Sequence, residues 1–351
     1  MTYQSIGRVI GSVGGRFTVY LHREGEGKQD TCPLAGKTVV AQARGVLRRR
    51  GELLVGDLVE VRYDDSSFSL ADGEAIPSPD GTAIAVERIC ERKNALIRPP
   101  MANLDVLFVT LAAASPDPVL ETVDKLISIA EFHGIEPVVV VTKRELAPEA
   151  ADAYKTLYAR AGFSAFALGR DCADDRDALA AYIKQNLGGR IAAFSGASGV
   201  GKSTLLNRLF PSLSLETGEI SRRIERGKNT TRRVELYPLS ETGEGGFLAD
   251  TPGFTMLDFE RFDFFDKEDL PETFREFRPY IGECRFTKCS HTKEQGCAIL
   301  DAMHRGDISP SRHQSFLSLY EVLKKKTKWC LPSFTSSPSP KRSAKIICLM
   351  Q

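Results

Sequence analysis

The segment that most constrains this chain is Gly196-Ala197-Ser198-Gly199-Val200-Gly201-Lys202-Ser203, a match to G-x-x-x-x-G-K-S in the middle of 351 residues. Such a loop works only between a strand and a helix. Its glycines let the backbone wrap so that N–H groups converge on an anion, and the helix N-terminus adds favourable partial charge. Both flanks are present, with apolar residues 191–194 before the loop and Ser203-Thr204-Leu205-Leu206 after it. Ser195 through Thr204 therefore form the expected phosphate cradle, in which Lys202 reaches the β and γ oxygens and the Ser203 hydroxyl coordinates Mg²⁺. A Gly-rich turn with a purely structural role is the alternative, and two correct flanks disfavour it.

Around this loop, strands alternate with helices from about 103 to 257. Residues 104–111 are apolar, and Val123, Leu126, Ile127 and Ala130 then mark one helical face. Residues 138–141, 165–168, 191–194 and 247–248 read as further strands, so a parallel α/β sheet is expected. Asp250-Thr251-Pro252-Gly253 closes the last of them. Asp250 is placed to hold Mg²⁺ through water, and the Gly253 N–H to meet a γ-phosphate. Between loop and strand lies Arg226-Gly227-Lys228-Asn229-Thr230-Thr231-Arg232-Arg233. Thr230 or Thr231 would bind Mg²⁺ in the triphosphate state and leave it afterwards. Spacing does not choose between them, and a solvated basic loop is the bland reading. Phe254 stands where Ras-like enzymes carry a water-orienting Gln, so slow intrinsic hydrolysis is expected, with the missing group supplied elsewhere.

Thr142-Lys143-Arg144-Glu145 follows the valine run 138–141. A carboxylate in such a loop can accept guanine N1–H and N2–H together while a lysine stem packs on the ring. The common pattern is N-K-x-D; here Thr142 and Glu145 replace Asn and Asp. The usual second base contact, Ser-Ala after the next strand, is replaced by Leu168-Gly169. The base-reading segment precedes the phosphate loop, whereas an ordinary GTPase places it last. The order is that of a circularly permuted GTPase.

The flanking regions differ in kind. Short alternating runs such as Phe17-Thr18-Val19-Tyr20-Leu21 and Val59-Glu60-Val61-Arg62-Tyr63, broken by Gly14-Gly15, Gly45 and Gly56-Asp57, predict about five strands within 75 residues. An OB-fold barrel is the natural candidate, and an SH3-like barrel stays open. Toward the other end, Cys284-x₄-Cys289-x-His291-x₅-Cys297 supplies a complete Cys₃His set, which suits structural Zn²⁺. Ser309-Pro310 opens a helix striped with Phe316, Leu319, Tyr320 and Leu323. Past Lys328 the composition turns to Ser, Pro, Lys and Arg, which cannot bury a core. The fold class is thus multidomain: an N-terminal OB-fold β-barrel with linker (1–90), a central circularly permuted α/β P-loop GTPase domain (91–258), and a C-terminal, mainly α zinc-binding domain (259–327). A disordered tail (328–351) completes the expectation.

The chain resembles the small ribosomal subunit-dependent GTPase A family over about residues 5–327. The resemblance runs through Ala43-Arg44-Gly45, Gly56-Asp57, Arg98-Pro99-Pro100, Ala102-Asn103, Asp105, the phosphate loop, Asp250-Thr251-Pro252-Gly253, the Cys₃His set, Ser311-Arg312 and Ser315-Phe316. It implies binding to the small ribosomal subunit and its rRNA, subunit-stimulated GTP hydrolysis and a role in late subunit maturation. By position it gives guanine reading to Thr142, Lys143 and Glu145. Asn229 departs from a His that the family often carries before its Thr pair. A net charge of +1 gives no global pull toward nucleic acid, but Arg44 and Arg48-Arg49-Arg50 form a local basic patch for an RNA backbone. Apolar runs are too short to span a bilayer and no secretory pattern opens the chain, so a cytoplasmic monomer without membrane contact is expected. Two other classes remain as alternatives: a P-loop ATPase or kinase with a zinc-stabilised lid, and a non-enzymatic RNA-binding module that uses nucleotide only for structure.

Overall fold

The computed structural model describes residues 1–22, 32–45, 47, 53–71, 74–78, 84–97, 99–170, 173–210, 234–239, 246–250 and 266–325. Expectations for Arg48 to Arg50, Thr230, Thr231, Thr251 to Phe254 and the tail 328–351 lie outside these residues, and Asp250 is described by its backbone alone.

Chain reversals build the first unit. Strand β1 (Thr2–Val13) pairs antiparallel with both β2 (Arg16–Leu21) and β4 (Leu58–Asp64), and β3 (Thr38–Ala43) pairs with β2. A hairpin of β5 (Phe68–Ala71) and β6 (Glu74–Pro77) stands outside this sheet. Strand β7 (Ala85–Ile89) then runs parallel to β3 and antiparallel to β4, closing a barrel in the order β1-β2-β3-β7-β4. A five-stranded closed barrel of this order is the OB-type solution rather than the SH3-like one. Its fifth strand lies beyond residue 75 because the β5–β6 hairpin takes up the stretch that composition alone assigned to the barrel. Alternation does the sorting: Val59, Val61 and Tyr63 are buried while Glu60 and Arg62 face outward.

The barrel is joined to the next unit by the hairpin β8 (Ala95–Ile97) and β9 (Pro100–Ala102). Fully buried Asp57 accepts from Arg92 Nε at 2.6 Å and Nη2 at 2.8 Å, and from Leu54 N–H. Gly56, at φ +94°, lies so close to Ala102 that a Cβ would sit 2.0 Å from its carbonyl oxygen. No side chain fits there, so the Gly56-Asp57 pair is a joint between units and not merely a turn.

The central sheet contains β10 (Val106–Ala112), β11 (Glu136–Thr142), β12 (Ser164–Ala167), β13 (Ile191–Gly196), β14 (Glu235–Leu239) and β15 (Gly246–Asp250). Their order is β12-β11-β10-β13-β15-β14, parallel except for β14. Helices α1 (Leu120–Phe132), α2 (Pro148–Arg160), α3 (Ala173–Asn186) and α4 (Lys202–Leu209) cover it. The valine run divides by parity, as buried parallel strands require: Val139 and Val141 enter the core shared with α1, Val138 and Val140 the core beneath α3 and α4.

The last unit has two short 3₁₀ turns, Leu270–Thr273 and Arg275–Tyr280, then α5 (Ala298–Arg305) and α6 (Pro310–Lys325). Helix α6 starts at the Pro that the sequence marked, and Phe316, Leu319 and Leu323 are buried. It packs on α1, whose side away from the sheet carries Asp124. Arg312 is 1% exposed and binds Glu276 Oε1 at 2.7 Å, Glu276 Oε2 at 3.2 Å and the Asp124 carboxylate. The Arg312 guanidinium also lies 4.6 Å from the Phe274 ring centroid, and Tyr158 donates to Asp124 at 3.0 Å. Removing one member of a buried ion cluster strands the others in low dielectric, a loss of about 3–5 kcal/mol. Arg312→Ala is accordingly expected to loosen the C-terminal unit by that amount, read as an earlier denaturation midpoint for residues 266–325. The triple replacement Asp124→Leu, Glu276→Met, Arg312→Met should recover most of it; an unchanged midpoint in the single variant would refute the assignment.

Candidate nucleotide and metal sites

Parallel strands bring their carboxyl ends to one edge, where open α/β sheets bind ligands. Here β13 ends at Gly196, β11 at Thr142 and β15 at Asp250. Register sets Thr110 beside Gly196 and Ala112 beside Thr142, so the two sequence motifs share that edge. Gly196 is obligatory: a Cβ would lie 2.2 Å from Thr110 O and 2.3 Å from its Oγ1. The Thr110 hydroxyl in turn donates to Ser195 O at 2.6 Å, which fixes the strand just before the loop. Ala197, Ser198 and Gly199 are exposed, whereas Val200 is buried and anchors the loop. Gly201, at φ +95°, turns the chain into α4, so Lys202, Ser203 and Thr204 occupy its first turn. The Lys202 ammonium folds back on the loop, donating to Gly196 O at 2.6 Å and Ala197 O at 2.8 Å. Burial lowers its pKa, so an anion at this place would restore charge balance.

The base-reading segment leaves β11 beside this loop. The buried Thr142 hydroxyl sits between Val200 O at 2.5 Å and Leu111 O at 3.1 Å, tying the two motifs together. Lys143 adopts a left-handed conformation at φ +57° and donates to Ser115 O. Glu145 lies in a 3₁₀ turn with its carboxylate 3.5 Å from Arg170 Nε. Arg144 points the other way, gripping Asp152 of α2 at 2.9 and 2.8 Å. Thr110, on β10, and Arg170, in the bend after β12, belong to no motif and were not expected at the site from sequence.

The metal set converges as its spacing implied. One ligand atom from each of Cys284, Cys289, His291 and Cys297 lies within 4.8 Å of all the others. His291 Nδ1 is 3.5 Å from Cys284 Sγ and 3.6 Å from Cys297 Sγ, and the two sulfurs are 3.9 Å apart. Tetrahedral zinc, with bonds of about 2.3 Å to sulfur and 2.0 Å to nitrogen, spaces its ligands by about 3.8 and 3.5 Å. The residues fit. Ala298 N–H at the start of α5 donates to Cys284 Sγ at 3.3 Å, and His313 Nε2 lies 2.9 Å from His291 O behind the cluster. Burial, with the Cys297 and Cys284 thiols alongside, pushes the Cys289 thiol up to about 12. A bound cation is what would hold the Cys289 sulfur as a thiolate at neutral pH.

Known proteins share this arrangement. A model of the RsgA GTPase family matches residues 89–260. The small ribosomal subunit biogenesis GTPase RsgA of Agathobacter rectalis is 34% identical over 325 residues, covering 92% of this chain and 99% of that protein. The protein of the same name from Ruminiclostridium cellulolyticum is 37% identical, covering 80% of this chain and 85% of its own length. The crystal structure of YloQ, described as a circularly permuted GTPase, superposes with a TM-score of 0.67 at 27% identity, covering 93% of this chain and 98% of that one. With the strand that leads into Thr142–Glu145 ahead of the phosphate loop in the chain and two strands from it in the sheet, the protein belongs to the RsgA GTPase family and is a circularly permuted GTP hydrolase.

Proposed function

We propose that this GTP hydrolase serves maturation of the small ribosomal subunit, binding the subunit's rRNA and leaving it after hydrolysis. The observation that carries the nucleotide part is the Thr142 hydroxyl on Val200 O at 2.5 Å, which locks the base-reading turn to the phosphate loop as one site. Its residues would divide the work. Backbone N–H groups of 196–204 cradle the phosphates, Lys202 exchanges its loop carbonyls for β and γ oxygens, and Ser203 faces the metal side. Mg²⁺, when bound with GTP, supplies charge neutralisation on those oxygens. Ser203, Asp250 and one of Thr230 or Thr231 would hold it, with the Gly253 N–H on the γ-phosphate. Lys143 and Glu145 would read guanine, with Arg144 bracing the turn against α2. Cys284, Cys289, His291 and Cys297 would hold one structural zinc.

The same reading divides the chain into a barrel with linker (1–90), GTPase domain (91–258), zinc domain (259–327) and tail (328–351), acting as a cytoplasmic monomer. Phe254 offers no group to orient water. Stimulation of hydrolysis by the small subunit is therefore part of the proposal. The test compares GTP turnover alone with turnover on small subunits, large subunits and bare rRNA. Small subunits should accelerate it far more than the others; equal rates in all conditions would overturn the reading. Lys202→Ala should lower turnover by at least about 100-fold in every condition, the scale for losing one preorganised transition-state donor.

A further inference from the structure

We propose that the outer face of the metal loop is a stacking platform for an unpaired RNA base, with Phe286 as its surface; the inference rests on the RNA-partner reading above. Phe286 is 52% exposed and is the one exposed Phe, Tyr or Trp ring among the described residues. An apolar ring in water is unfavourable, yet this one is held out rather than tucked in. The Cys284 and Cys289 ligands bracket it in sequence, and Arg285 braces it. Arg285 N–H donates to Gly296 O at 2.9 Å, and its guanidinium lies 5.6 Å from the Phe286 ring centroid. Gly296 permits that bracing, since a Cβ there would already lie 3.0 Å from Arg285 Cβ.

The charge around the ring selects the partner. Arg285, Lys288 and Lys293 are all exposed on this loop. The acid within it, Glu294, is turned inward: its carboxylate accepts from the N–H groups of Ser290 at 2.9 Å, Thr292 at 3.0 Å and Lys293 at 3.0 Å. The exposed side chains of the loop thus combine one aromatic ring with three cations, of which Arg285 lies against the ring. That combination suits a single-stranded nucleic acid, whose base stacks while its phosphates meet the lysines. A duplex offers no open base face for Phe286.

The experiment uses the full zinc-loaded chain and measures affinity for purified small subunits and for a single-stranded adenine-containing oligoribonucleotide. Phe286→Ala and Phe286→Leu should each weaken both by about tenfold, while Phe286→Trp retains affinity. Zinc content and unstimulated GTP turnover should stay at wild-type values in all three. Lys288→Ala and Lys293→Ala should each reduce the salt dependence of oligonucleotide binding. Retained affinity in Phe286→Leu with loss in Phe286→Ala would overturn the proposal in favour of an apolar protein contact. Wild-type affinity in Phe286→Ala would overturn it outright, even where small subunits still stimulate turnover. Should wild-type chain fail to bind small subunits, the functional reading falls, and the oligonucleotide arm still judges Phe286.

Discussion

Stripping zinc with a chelator, or replacing Cys297 by Ser, is expected to unfold residues 284–297 while α5, GTP binding and the docking of α6 survive. Between Cys284 and Cys297 the one buried side chain is His291, itself a ligand, so the loop owns no apolar core of its own. Its order comes from four ligands closing on one ion, worth on the order of 10 kcal/mol of apparent folding free energy in small zinc modules. No set of turns and surface contacts over fourteen residues replaces that. Helices α5 and α6 are held differently from the loop, by Ile299, Ala302, Phe316, Leu319 and Leu323 in the core shared with α1, and α6 also by Arg312 on Asp124 and Glu276. Hydrogen exchange on chelated protein should therefore show protection lost over 284–297 and kept over 299–323. Unchanged protection at 284–297 in demonstrably metal-free protein would defeat this account. Loss across both segments would show instead that the unit folds only as a whole.

That prediction depends on a motif whose meaning was local, and locality decides how much of this protein the sequence disclosed. The phosphate loop and the Cys₃His set are short spacings, and short spacings fix geometry almost unaided. The OB order was harder, since β7 had to cross a hairpin before pairing with β3 and β4. Arg312 was marked only as part of the resemblance, with no role attached. An Arg on a helix reads as a solvent-facing residue, and only the approach of Asp124, 188 residues away in sequence, makes it one of the least exposed side chains. Thr110 belongs to the same class: an ordinary strand residue until β13 lies beside it and Gly196 gives it room. Thr142 shows the middle case. Its position marked it as a base-site residue, but the loop carbonyl its hydroxyl meets became evident only in three dimensions.

Covalent order and spatial contact run in opposite senses across the GTPase domain. Along the chain, β15 leads on to the C-terminal unit, while the barrel leads into β10 and β11. In space the barrel sits against β15. The Arg8 guanidinium lies 5.5 Å from the Phe247 ring centroid and Tyr20 packs on the same ring at 5.6 Å. Arg8 also donates to Gly189 O just before β13. The C-terminal unit sits on the β11 side of the sheet, with Arg275 bonded to Glu131 at the end of α1 and Glu136 at the start of β11, and Arg160 of α2 bonded to Gly306 O. Each flanking unit thus packs at the starts of the strands, on the sheet edge opposite the phosphate loop, and against strands other than the one its chain tether joins. Permutation alone gives a single tether to each; the packed contacts supply the second connection.

Glu145→Gln should exchange the base preference of the site, with the ratio of GTP to XTP affinity falling by about 10⁴-fold. A carboxylate accepts both guanine N1–H and N2–H, and a site built around such pairs rejects a base that cannot make them by about that factor. Gln keeps one acceptor and gains an N–H donor, which guanine's amino group opposes and the C2 carbonyl of xanthine accepts. The side chain is poised for the exchange: Glu145 stands in a one-turn 3₁₀ helix, fixed on one side by Arg144 on Asp152 and on the other through Thr142 on Val200 O. Its 3.5 Å contact with Arg170 is loose enough for a base to displace. Arg170→Ala should therefore change GTP affinity little, and Glu145→Asp should keep guanine preference with some loss of reach. Competition of GTP and XTP for the Glu145→Gln chain decides the matter. Undiminished GTP binding would mean that guanine is read by backbone or by another side chain, and that the longer carboxylate in this family position has ceased to be the reader.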